Sequence, residues 1–333
     1  MSGISTEIKK VQEKIDVFLA AYLQDREQTV LVTEITRMVK GGGKRIRPFI
    51  LCSTYQLLGG KDESLAIKIG AAIELFHTFA LIHDDIIDRS DLRRNVTTVR
   101  KEVGDNAAIL VGDVCLGYAN DIFTHALLSS NLTDSVKIAL QNRWHQMQEE
   151  VITGEYLDSH QTIFNVIKQD AVDFEKLEKQ SMKIMDYKTA RYTIVHPLLF
   201  AATLVAADKD LQTHLSEYGT KLGIAFQIKD DLLGIFGDEK AIGKPIDSDV
   251  KEGKVTLLML KLLQQLPRKE WVKEKLDNIH FVRERMKSFR VDAFFEEEIA
   301  RLTKQAVASI KKTTLNDKEF FYQFSEYTIL RNK

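Results

Sequence analysis

Proline is scarce in this sequence, four in 333 residues, where average usage near 5% would give roughly 17. A polypeptide so rarely interrupted, and rich in Leu, Ile, Ala, Lys, Glu and Gln, is expected to be helical nearly throughout. Cysteine is scarcer still. Cys52 and Cys115 form no CxxC pair, which argues against both a disulfide scaffold and a thiolate zinc centre. No sign of charge dominates: 47 Lys and Arg face 48 Asp and Glu, so a basic nucleic-acid surface is not expected. Long hydrophobic runs are absent too. The longest uncharged stretch, Tyr192 to Ala207, is interrupted by His196 and Pro197 and falls short of the roughly 18–20 apolar residues that span a bilayer. It reads as a buried core helix. The N-terminus MSGISTEIKKVQEKI has no apolar signal-peptide core, so the expected address is the cytoplasm.

What is present is helical periodicity. Ile8, Val11, Ile15, Phe18 and Leu19, then Val30, Val32, Ile35 and Met38, predict a helix pair broken near Gln24–Gln28. Gly41-Gly42-Gly43 closes the second helix, and Pro48 suits the first turn of the next. From Ser64 to Asp88 the chain is apolar almost all round, which places that helix at the centre of the molecule. Helical patterns continue over 107–128, 133–153, 174–190, 195–207, 211–236 and 256–265. The glycine-bearing stretch 237–253 reads as a loop. Beyond Glu270 the pattern is amphipathic and charged, as in solvent-facing helices. No linker or composition shift interrupts it, so one all-helical domain is expected over 1–333.

Two aspartate pairs stand out, each at the end of an apolar helix: His83-Asp84-Asp85-Ile86-Ile87-Asp88 and Lys229-Asp230-Asp231-Leu232-Leu233-Gly234. Asp84 and Asp88, four apart, share one helix face about 6 Å from each other along the axis. Partly desolvated like charges need a cation to hold them together. All-oxygen ligands favour Mg²⁺, which usually takes one or two carboxylates plus substrate phosphates. One such pair could be a solvated helix end. Two are better explained as opposed acidic walls sharing metal and an anionic ligand. Cations suited to phosphate accompany them: Lys44 and Arg47 after the triple glycine, Arg93 and Arg94 after Asp88, and Lys188, Lys244 and Lys254 among apolar or glycine neighbours. A substrate with at least one diphosphate and a greasy tail follows from this mixture.

These segments resemble the trans-prenyltransferases of the polyprenyl synthetase family. GGGKRIRP, ELFHTFALIHDDIIDRSDLRRN, AAILVGD, GEYLD, YKTA, FQIKDDLLGIFGD and GKPIDSDVKEGKVTLL occur in the family's order from Gly41 to about Leu258. The resemblance implies an all-α, isoprenoid synthase-type helical bundle around a deep central apolar cavity, as a homodimer. It implies that Lys44, Arg47, His77 and Arg94 hold isopentenyl diphosphate. Asp84, Asp88 and Asp230 would bind Mg²⁺, three ions per site, with Asp85 and Asp231 in support. Arg93, Lys188 and Lys244 would grip an allylic diphosphate, Lys254 would help close the site, and Thr189 and Gln227 would face a developing carbocation. Asn95, Thr97, Arg100, Gly234 and Asp247 depart from the usual pattern without removing any of these residues.

Product length in the family is set by bulky residues before the first aspartate motif. Phe76, Ala80, Asp84 and Asp88 lie on one stripe, with Phe79 rotated to the side. Ala80 leaves the first turn open, which resembles geranylgeranyl more than farnesyl synthases. Phe76 and Phe79 could instead be ordinary core aromatics. The alternatives are a farnesyl or longer polyprenyl diphosphate synthase and a non-catalytic partner subunit, though inactive subunits tend to lose aspartates that this chain keeps. GGGKRIRP with His77 argues against a class I terpene cyclase, and a di-iron bundle hinted at by Glu74-x-x-His77 lacks a second ExxH. The preferred starter and oligomer size are not readable from the sequence.

Overall fold

The computed structural model describes residues 2–93, 96–237 and 248–330. Among these the chain is all-α except for one two-residue hairpin, Leu92–Arg93 against Val96–Thr97. The helices are α1 (Ser2–Gln24), α2 (Val30–Lys40), α3 (Ile46–Leu57), α4 (Glu63–Ile87), α5 (Val99–Val103), α6 (Asp105–Leu128), α7 (Asp134–Ser159), α8 (Ile163–Val166), α9 (Phe174–Ile184), α10 (His196–Leu204) and α11 (Lys209–Phe236), followed by later helices that include Leu257–Gln265. The short α5 and α8 are not anticipated by the periodicity, and the others are. Two local differences matter. The pattern over 174–190 predicts a continuous helix, but Met185–Val195 is wound more widely, in π fashion. The loop expected over 237–253 contains a short helix, Ser248–Glu252.

The helices pack into two compact units: residues 1–146, 196–216 and 313–323, and residues 147–195, 217–312 and 324–333. In the first, α4 packs against α1, α3 and α6. Its side chains from Ile69 to Phe79 are buried without a break, as a helix apolar on every side requires. Asp62 caps its N-terminus by accepting from the Leu65 N–H at 2.9 Å. Beneath α4 lies an aromatic layer. Phe76 meets Trp144 edge-on at 6.0 Å, and Trp144 stacks on Phe123 at 4.4 Å. The Trp144 indole N–H donates to the Asn120 Oδ1 at 2.7 Å, so burial leaves that polar tip satisfied.

By length and composition α4 and α6 could each cross a membrane. The apolar window of α4 is 83% buried, as in a core helix, whereas that of α6 is 39% buried. Ile109, Leu110 and Leu128 on α6 are exposed.

The second unit's core joins α9, the C-terminal half of α11 and later helices. The charged helices Ile279–Ser288 and Val291–Lys311 send Val282, Met286, Phe295, Ile299 and Leu302 into it. Their solvent faces dominate the sequence, but their apolar stripes are part of the core.

Candidate active site

The first acidic group sits where α4 ends. Asp88 is the C-terminal cap residue, and its N–H still bonds the Asp84 carbonyl at 2.8 Å, so the expected i,i+4 register of Asp84 and Asp88 holds. The chain then turns back at Arg89 (φ 53°) and Ser90, whose N–H bonds the Asp85 carbonyl at 2.9 Å, and the first hairpin strand carries Arg93. The Arg93 Nη2 donates to Asp84 Oδ2 at 2.8 Å and its Nε to Asp85 Oδ1 at 2.8 Å. One guanidinium thus spans both aspartates. The hairpin is held by Arg100, which pairs with Asp91 at 3.0 Å and Asp105 at 2.9 Å, so that departure from the family pattern has a local structural use.

Asp85 is buried. Burial pushes its carboxyl up to about 6 although Arg93 pulls the other way. Its Oδ2 is buried with no hydrogen-bond partner among the described residues. An orphaned buried acceptor beside two hard carboxylates fits a site built for Mg²⁺. Among the described residues no three Asp, Glu, His or Cys side chains could cage a metal by themselves.

A small cavity of about 20 Å³ in the same unit is lined by Arg37, Gly41, Gly42, Arg45, His77 and Arg93, with Met38, Thr78, Leu81 and Val96. The structure therefore brings the glycine turn, His77 and Arg93 together. Lys44 and Arg47 do not line it; Lys44 is exposed and Arg47 half-buried. Arg45, between them, is buried in a left-handed backbone conformation (φ 48°). It donates to Asp16 at 2.9 Å, Glu74 at 3.0 Å and the Val39 carbonyl at 2.8 Å. Sequence reading passed over Arg45, and also Arg37, whose Nη1 holds the Thr97 carbonyl at 2.6 Å. Glu74 Oε2 accepts from Arg45, while its Oε1 is buried with no hydrogen-bond partner among the described residues.

The second group lies in the other unit. Lys188 and Thr189 sit in the π-wound segment, which is approached closely on two sides. A Cβ on Gly154 of α7 would lie 2.7 Å from the Lys188 N, and one on Gly223 of α11 2.5 Å from the Ala190 Cα. Only glycine permits either approach. Wide winding of this kind is frequent at functional sites. The Lys188 ammonium is held by Glu155 at 2.8 Å and Asp158 at 2.7 Å; both partners belong to the GEYLD segment and neither was singled out from sequence. Thr189 Oγ1 donates to Gln227 Oε1 at 2.6 Å, and Gln227 Nε2 donates to Asp231 Oδ1 at 2.7 Å.

Asp230 is half-buried, whereas Asp231 is 8% exposed. Burial pushes the Asp231 carboxyl up to about 8 against the pull of Gln227, and Asp249, Asp230 and Asp158 add to the rise. Lys254 pairs with Glu252 at 3.2 Å and lies 3.9 Å from Asp249. An antiparallel bridge to Thr162 fixes its backbone. Arg94 and Lys244 lie outside the described residues.

Product-length candidates fall in the first unit. Ala80 is half-buried, Phe79 is 6% exposed and meets His83 edge-on at 4.7 Å, and Phe76 is sealed at 0%.

Two acid pairs on helices, each with arginine or lysine ion pairs in its own unit, mark the candidate site of an all-α protein. Residues 28–291 match the polyprenyl synthetase family, and the chain belongs to that family. It is 38% identical over 224 residues to a geranylgeranyl diphosphate synthase of Saccharolobus solfataricus, covering 67% of this chain and 64% of that one. It is 31% identical to a short chain isoprenyl diphosphate synthase of Methanothermobacter thermautotrophicus, over 84% and 80% of the two chains. A solved geranylgeranyl pyrophosphate synthase of Corynebacterium glutamicum, complexed with isoprenyl diphosphate and magnesium, has the same fold. It superposes with a TM-score of 0.83 at 27% identity and covers 99% of this chain and 98% of its own.

Proposed function

We propose that the protein is a short-chain trans-prenyltransferase that joins isopentenyl diphosphate to an allylic diphosphate, with geranylgeranyl diphosphate as product. The observation that carries this reading is Arg93 spanning Asp84 and Asp85 beside the cavity lined by His77 and the glycine turn. Family membership and the named activities of the relatives support it.

Asp84, Asp88 and Asp230 would hold Mg²⁺, with Asp85 in support. Bound there, the metal withdraws charge from a diphosphate and makes it a better leaving group. Arg93, Lys188 and Lys244 grip the allylic diphosphate, and Lys44, Arg47, His77 and Arg94 hold isopentenyl diphosphate. Lys254, anchored through Thr162, helps close the site. The allylic C–O bond breaks, the double bond of isopentenyl diphosphate attacks the cation, and a proton leaves to the freed diphosphate. The oxygens of Thr189 and Gln227 face the positive carbon, where fixed dipoles lower the barrier.

The reading extends to a cytoplasmic homodimer. Burial pushes the Cys52 thiol up to about 12 and the Cys115 thiol upward as well, which suits free thiols in a reducing compartment. The exposed apolar side chains of α6 suit a contact between two copies, and a sedimentation mass of twice 38.0 kDa checks it.

The test is incubation with Mg²⁺, isopentenyl diphosphate and dimethylallyl, geranyl or farnesyl diphosphate, followed by chromatography. The expected product has twenty carbons. Ala80→Phe should shorten it and Phe79→Ala lengthen it. Unchanged tails in both variants would put the floor elsewhere, and no incorporation at all would defeat the activity.

A further inference from the structure

The Thr189–Gln227–Asp231 relay has a direction. A hydroxyl carries one proton, and Thr189 gives it to Gln227 Oε1 at 2.6 Å. The lone pairs of Thr189 Oγ1 are therefore what remain for any group on its other side. The amide end of Gln227 that faces Asp231 is the donating one, at 2.7 Å. Gln227 and Asp231 are four apart on α11, so the helix itself holds them in register. The tight approach at Gly223 presses α11 onto the π-wound segment that carries Thr189. Asp231 Oδ1 accepts whether the carboxyl is ionised or carries its proton on Oδ2. In both forms it selects the amide orientation in which Oε1 points to Thr189. Without that acceptor the amide is free to turn over and donate to Thr189. The hydroxyl proton then swings outward, and a positive end replaces an electron-rich one.

We propose that Asp231 is a positioning residue, grouped by sequence with the metal-binding aspartates but acting through Gln227 to keep the Thr189 oxygen electron-rich toward a developing carbocation. The role rests on the prenyl-transfer reading above and deepens it. Asp230, half-buried on the neighbouring position, is left as that motif's metal ligand.

The experiment compares Asp231→Leu, Asp231→Asn, Gln227→Leu and Asp230→Asn in the full-length protein. Asp231→Leu should lower kcat about 100-fold, the scale of losing one preorganised polar group at a reacting centre. The Mg²⁺ concentration for half-maximal rate should stay within about twofold of the parent. Asp231→Asn keeps an acceptor oxygen and should retain kcat within about tenfold. On the Gln227→Leu background, loss of the Asp231 acceptor should cost less than about threefold more, because both changes break one relay. In equilibrium binding, Asp231→Leu should weaken an ammonium analogue of the allylic cation about tenfold and leave a thiolo-diphosphate analogue, whose tail carries no positive charge, unaffected.

If Asp231→Leu melts early, Asp231→Ala, which also removes the acceptor, carries the same cycle with Gln227→Leu. A rise in Mg²⁺ requirement matching that of Asp230→Asn, or fully multiplicative losses in the cycle, would overturn the role while leaving the transferase activity intact. An unsubstituted protein without turnover would instead remove the activity beneath it.

Discussion

The two aspartate pairs have the same spelling but are neutralised in different ways. In the first unit Asp84 and Asp85 share one guanidinium, and ion pairing opposes the burial of Asp85, which rises only to about 6. In the second unit Asp231 has a neutral amide for a partner. Burial is offset only by that hydrogen bond, and neighbouring carboxylates push the same way, so it rises to about 8. Charge in that unit is balanced elsewhere, at Lys188 between Glu155 and Asp158. A repeated motif therefore need not mean a repeated role. The first pair shares one guanidinium, whereas the second sets a half-buried acid beside a buried one that accepts from an amide.

The sharpest way to break the comparison is to remove charge from the first group. On the proposed reading, Asp84→Ala or Asp88→Ala should lower turnover at least about 1,000-fold, since each would delete a hard metal ligand at the leaving group. Incorporation of labelled isopentenyl diphosphate at saturating Mg²⁺ measures this. A next, smaller effect is expected from Arg93→Lys. A point charge cannot span two carboxylates as a fork does, so kcat/KM for the allylic partner should fall on the order of 30-fold. A lysine variant with parent kinetics would show that the spanning geometry has no catalytic use.

The smallest effect is on stability. A carboxyl whose pKa rises on folding favours the folded state less as it ionises. Its contribution is fully present below the ordinary value of 3.8 and is lost as pH climbs toward about 8 for Asp231 and about 6 for Asp85. In a chelator, Asp231→Asn should melt close to the parent at pH 4.5. By pH 8.5 it should melt higher, on the order of a few degrees. For Asp85→Asn the gain should level off nearer pH 6 and be smaller, because Arg93 loses a charged partner. Melting curves across that range decide it, and a gain for Asp231→Asn that is independent of pH would contradict the contrast.

Much of this architecture is legible in the residues. The apolar run from Ile67 to Ile82 announces α4, and the acid spacing places Asp84 and Asp88 on one face because local helix geometry suffices. Gly41 to Gly43 and Thr29, which accepts from the Val32 N–H, mark helix ends by backbone chemistry alone. What is illegible depends on distant partners. Arg45 looks like one more surface base until Asp16 and Glu74 bury it. Lys188 looks like a free phosphate ligand until Glu155 and Asp158 close on it. The π winding at Met185–Val195 is approached closely by Gly154 and Gly223, which are far away in sequence. Phe76 has the stripe position of a floor residue, yet the Trp144 layer seals it, and truncating it would cost about 3–5 kcal/mol of stability.

The central claim is that both aspartate segments are required to hold magnesium diphosphate. Calorimetric titration of inorganic diphosphate in the presence of Mg²⁺ tests it most directly, on the parent, Asp84→Asn and Asp230→Asn proteins. Either single substitution should weaken binding at least about tenfold. Parent-like affinity in the Asp230→Asn protein would contradict the claim, because diphosphate would then depend on the first segment alone.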